Sequence, residues 1–139
     1  MSTIPNSFAN LDWVSERAKC TPFTVFEVLR SQVEKDVERR NALNAQVPAH
    51  KTFTFQSNGE WFAVVYQVLS QSKGVIFRIS LTGVIARDIE SQKTICDGVL
   101  VISNDGQCRL RVGETECDLW QFRKLALHDL FFVNQEVVP

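Results

Sequence analysis

The sequence predicts an α+β fold: N-terminal helices, one short over 10–19 and one long over 22–44, an antiparallel meander of roughly six or seven strands over 51–118, and a C-terminal helix over 119–132. Three observations lead there. A helix start signal at Thr21-Pro22 opens an amphipathic stretch, a run of short alternating segments broken by hairpin turns begins at residue 51, and a second apolar stripe at helical spacing follows Asp118.

Asn10 suits the cap of the short helix, with Asp12 in the first turn and Arg17 and Lys19 in the last, matching the helix dipole at both ends. Leu11, Trp13 and Val14 are its expected anchors. In the long helix Pro22 takes the first position, where its missing N–H is orphaned anyway. Phe26, Leu29, Val33 and Val37 then form one buried stripe, broadened by Phe23 and Val25. Beyond Val33 the stretch EKDVERRN is charged on most faces, and Asp36 with Arg40 makes an i,i+4 pair, so this end reads as solvated. Pro48 ends the helical region, and His50 leads into the first strand.

Phe53 and Phe55 alternate with threonines before Asn58-Gly59, a two-residue hairpin signal that sets Phe55 opposite Phe62 and Phe53 opposite Val64. A polar loop over 70–74 is expected next. Val75, Phe77, Ile79 and Leu81 then alternate with Arg78 and Ser80 in a half-wet strand. Thr82-Gly83 turns into a strand whose pattern breaks at Arg87-Asp88, where a bulge is needed to assign the inward face.

Asn104-Asp105-Gly106 fits a three-residue hairpin that sets Ile102 opposite Cys108, and Gly113-Glu114 a two-residue one that sets Leu110 opposite Cys117. Cys96, Leu100, Ile102, Cys108, Leu110, Val112, Cys117 and Leu119 then share a core face. Arg109 lies opposite Asp118 and Arg111 opposite Glu116 on the outer face; a slip of one residue would bury all four charges. In the last helix Leu119, Phe122, Ala126 and Leu130 form the stripe, flanked by Trp120, Leu127 and Phe131, with aromatics inward and Arg123, Lys124 and His128 in water.

A chain of 139 residues with 45% hydrophobic content reads as a single domain over 1–139, with tails at 1–9 and 134–139. Fifteen Lys+Arg against 16 Asp+Glu leave a formal charge of −1, so no global field favours nucleic acid or an acidic membrane. The opening MSTIPNSFANLDW lacks a basic region and an apolar run of signal-peptide length, which makes a cytoplasmic protein the expectation. Cys20, Cys96, Cys108 and Cys117 show no C-x-x-C spacing and read as free thiols, Cys20 at a tight helix junction and the other three in the core.

No Gly-rich phosphate loop, G-x-S-x-G elbow or H-E-x-x-H helix occurs, and His50 and His128 stand far apart, so no catalytic residue, metal site or cofactor is assigned. The leading expectation is a small non-catalytic domain that acts by binding a protein partner or by homodimerisation. Surplus apolar surface at Phe131, Phe132, Val137 and Val138 supports it.

The strand meander followed by a Trp-bearing helix resembles pleckstrin-homology-like order, and a long helix before a curved sheet resembles the cystatin-like and NTF2-like cones. The cone resemblance implies an alternative: a pocket for a small apolar ligand lined by Phe62 and Phe77, with Tyr66 or Asp88 as its ionisable group.

Overall fold

A computed structural model describes residues 11–44, 52–68 and 71–132. In chain order these form α1 (Trp13–Lys19), α2 (Pro22–Ala42), β1 (Thr54–Ser57), β2 (Trp61–Val68), β3 (Gln71–Ile79), β4 (Gly83–Asp88), β5 (Thr94–Ile102), β6 (Cys108–Val112), β7 (Thr115–Cys117) and α3 (Leu119–Phe132). Each strand pairs antiparallel with its sequence neighbour in one sheet of order β1 to β7. Among the described residues β1 and β7 are the two edges, so the sheet stays open. Asn10 and both expected tails lie outside the described residues.

One face of the sheet carries the core. Phe62, Val64, Val75, Phe77, Val84, Ala86, Cys96 and Leu110 are buried beneath α2, which contributes Phe26, Leu29, Val33 and Val37, and α3, which contributes Phe122, Ala126 and Leu127. Phe62 and Phe77 stack at 4.7 Å between centroids, and Phe26 tilts onto Phe62 at 5.1 Å. The Thr21 hydroxyl caps α2 by accepting from Thr24 N–H at 3.2 Å, with Pro22 in the first turn as its chemistry demands.

From β5 to β7 the structure has the expected register: Ile102 pairs with Cys108, Leu110 with Cys117 and Arg111 with Glu116. Gly106 at φ +85° and Gly113 at φ +62° supply the left-handed residues those two turns require. Arg109 Nε donates to Asp118 at 2.8 Å and its Nη1 to Asp105 at 2.7 Å. Glu116, however, accepts from the Ser103 hydroxyl at 2.6 Å instead of forming an ion pair with Arg111. A bulge does fall at Ala86/Arg87, and the extra residue is Ile95 on β5.

Several expectations are corrected. At the first hairpin Phe55 pairs with Val64 and Ser57 with Phe62, because Asn58 Oδ1 accepts from the N–H groups of Glu60 and Trp61. That side-chain turn moves the loop one residue on and shifts the register by two, so the same side chains still face inward. Gln71 to Gly74 is strand, not loop: β2 continues to Val68 and its backbone needs partners whatever their polarity, with Gln67 and Ser72 joined at 2.7 Å.

The short helix is capped by Asp12, whose carboxylate accepts from Ser15 N–H at 3.0 Å, and none of its residues is buried; Trp13 and Val14 stay exposed. Phe23 and Ile102 are exposed too. Cys20 and Cys108 are not free thiols but a disulfide, which ties the α1–α2 junction to β6 across 88 residues. Cys96 and Cys117 remain buried free thiols.

The largest correction concerns the charged end of α2, which ends at Ala42. Asp36 does not pair with Arg40; it binds Arg123 of α3 at 2.7 Å and Arg39 at 3.5 Å. Arg40 instead turns into the protein and is 2% exposed.

Candidate functional site

Arg40 falls three residues after Val37, at the next position of the buried stripe of α2, and its long apolar stem continues that stripe. Its guanidinium lies over the rings of Phe53 at 5.2 Å and Phe132 at 5.5 Å. Nε donates to the backbone carbonyl of Phe131 at 3.0 Å, satisfying an orphan acceptor at the end of α3, and Nη1 donates to Asn44 Oδ1 at 3.0 Å. Nη2 is buried without a hydrogen-bond partner among the described residues. Burial pushes the Arg40 pKa down from its ordinary value, yet a guanidinium stays protonated at any pH the fold meets.

Arg40 lines a groove of about 280 Å³ between the second half of α2 and α3. Among the described residues Arg39, Arg123 and Lys124 line it as well, against one carboxylate, Asp36. The described lining residues therefore hold a surplus of three positive charges in a chain of formal charge −1. Asp36 is already engaged by Arg123 and Arg39, and Arg123 Nη1 is held by Gln32 at 2.7 Å, so these groups are fixed in place. The remaining wall is apolar: Leu43, Trp120, Leu127 and Phe132.

Trp120, Lys124, His128 and Phe132 follow one another at intervals of four along α3. Trp120 is 55% exposed and Phe132 45%, against the expectation that the aromatics of this helix turn inward. Three turns of α3 thus present an aromatic, cationic ridge beside the groove.

Of the expected partner surface, Phe131 is 7% exposed and packs edge-on against Phe53 at 5.0 Å, so it belongs to the core. Phe132 is at the surface, and Val137 and Val138 lie outside the described residues. The residues of the alternative pocket are divided. Phe62 and Phe77 are fully buried in the packed core, whereas Tyr66 and Asp88 line a separate cleft of about 310 Å³ between the ends of β3 and β4 and the outer part of α3. Asp88 Oδ2 accepts from Ser91 N–H at 2.7 Å, closing the turn after β4, and Lys73 pairs with Glu90 at 2.6 Å on the rim. That pair holds the Lys73 pKa above its ordinary value.

Among the described residues no group of three or more His, Cys, Asp or Glu side chains is placed to hold a metal ion. His128 touches Asp129 at 3.2 Å, and His50 lies outside the described residues. Burial pushes the Cys96 thiol up to about 12 and raises that of Cys117, which disfavours the thiolate at both. Among the described residues no helix is long and apolar enough to cross a membrane. The sequence places Arg40 at a solvated helix end, paired with Asp36; what its side chain meets depends on α3 and Phe53, which periodicity along α2 does not reach. No known protein family, curated protein or solved structure matches this chain, so the reading of the groove rests on its own residues.

Proposed function

We propose that this chain is a non-catalytic binding domain whose working surface is the α2–α3 groove with the ridge of α3, and that its partner is a protein presenting an acidic segment with apolar side chains. The observation that carries this is the surplus of three positive charges gathered beside exposed Trp120 and Phe132, in a chain whose net charge is negative. A polyanion such as nucleic acid would meet net negative charge over the rest of the molecule, while a short acidic segment meets only the groove. Homodimerisation through this face is disfavoured, because a two-fold axis would set one basic groove against the other. The Cys20–Cys108 bridge supports an oxidising compartment over the cytoplasmic one expected from the opening residues.

The test compares the wild type with Trp120→Ala/Lys124→Glu as baits in extracts of the source cells. A protein retained by the wild type and lost with the double variant is expected; identical retention by both would remove the groove from consideration. Sedimentation of the purified chain is expected to give a monomer.

A second reading is favoured by the meeting of Tyr66 and Asp88 in the 310 Å³ cleft, which is of a size to take a small ligand. Its rim of Lys73, Glu90 and Asp129 suits a polar ligand better than an apolar one. Protection of Lys73 from acetylation by a co-purified small molecule would support it.

A further inference from the structure

We infer that the floor of the α2–α3 groove is a carboxylate subsite, in which the guanidinium edge of Arg40 takes an aspartate or glutamate side chain of the partner. This rests on the groove being the working surface. Arg40 is held by two fixed hydrogen bonds and by the rings of Phe53 and Phe132, so its plane is set before any ligand arrives. Its Nη2 has no hydrogen-bond partner among the described residues, in a residue that is 98% removed from solvent, a state a fold keeps only at a cost in stability. The one carboxylate of the groove, Asp36, cannot serve it, being committed to Arg123 and Arg39.

Phe132 is half exposed and lines the same groove, so the ring that lies over the guanidinium borders its open space. A carboxylate can accept from two parallel N–H groups on the edge of a guanidinium whose plane is already set.

The full chain is titrated calorimetrically with a blocked hexapeptide alternating Glu and Phe and with its Gln/Phe twin, with inorganic phosphate and a thymidine oligonucleotide as competitors. The Glu peptide is expected to bind at least tenfold more tightly than the Gln peptide. Arg40→Met is expected to abolish that preference, with a circular-dichroism spectrum showing that the fold is kept. If both peptides bind equally to the wild type, and Trp120→Ala weakens both, the groove stands and the subsite falls. If neither binds, both readings fall. Displacement of the Glu peptide by phosphate or oligonucleotide at lower concentration would also overturn the assignment. Should Arg40→Met not fold, the Arg40 guanidinium resonances of the wild type decide: they are expected to shift with the Glu peptide alone, and unchanged resonances would refute the subsite.

Discussion

The side-chain amide of Asn41 on α2 exchanges two hydrogen bonds with the backbone of Phe53: Asn41 Nδ2 donates to the Phe53 carbonyl and the Phe53 N–H donates to Oδ1, both at 2.9 Å. Phe53 stands just before β1, outside the ladder with β2, and the amide supplies the pairing a neighbouring strand would have given. Because the Phe53 ring lies under Arg40, this tie also sets the floor of the groove. Asn41→Ala is expected to lower stability by about 2 kcal/mol, the worth of two partly buried hydrogen bonds. Urea unfolding followed by fluorescence measures it, and a loss within error of zero would mean the tie contributes nothing.

The bridge between Cys20 and Cys108 closes a loop of 88 residues, and the chain-entropy argument assigns such a cross-link on the order of 4 kcal/mol. Cys20→Ser/Cys108→Ser should therefore lower the melting temperature by roughly 10 °C. Thiol counting by mass provides the direct check. Denatured without reductant the protein should label at two cysteines, Cys96 and Cys117, and with reductant at four; four in both would mean the bridge is not formed.

Gly98 lets α3 approach β5. A Cβ at this position would meet the Phe122 ring at 2.7 Å and Leu110 at 3.1 Å, and both are fully buried, so neither has room to yield. Gly98→Val is expected to cost about 2–3 kcal/mol through overpacking, read as a fall in the urea midpoint at unchanged slope. Gly59, where an added Cβ meets nothing, is the control: Gly59→Ala should leave the midpoint almost unmoved.

Arg109, hydrogen-bonded to Asp105, holds that carboxyl below its ordinary value of 3.8, with help from Gln107 N–H. A carboxyl lowered by folding contributes stability that is present above the unfolded pKa and lost as pH falls through the folded one. The contribution is thus constant above about pH 5 and declines below pH 4. Arg109→Gln should reduce stability at pH 7 and flatten its fall between pH 5 and pH 2.5. Denaturation midpoints across that range decide it, and parallel curves for the two proteins would exclude the coupling.

What the sequence determined by itself was local. The hairpins at 104–106 and 113–114, the parity of the core strands other than β4 and the cap of α2 depend on residues within about ten positions of one another, where turn chemistry and periodicity act. Even the misplaced loop at Asn58 kept its side chains on the correct face, because the register moved by two. Tertiary structure alone decided the rest. The partners of Arg40 are Phe131 and Asn44, the bridge joins residues 88 apart, and Asp36 meets Arg123 rather than Arg40. Each depends on how α2 and α3 lie across one sheet, and that is set by the packing of side chains distant in sequence. A charged residue in a helical stripe reads as solvated until a second helix covers it; here the covering helix turned Arg40 into the floor of a groove.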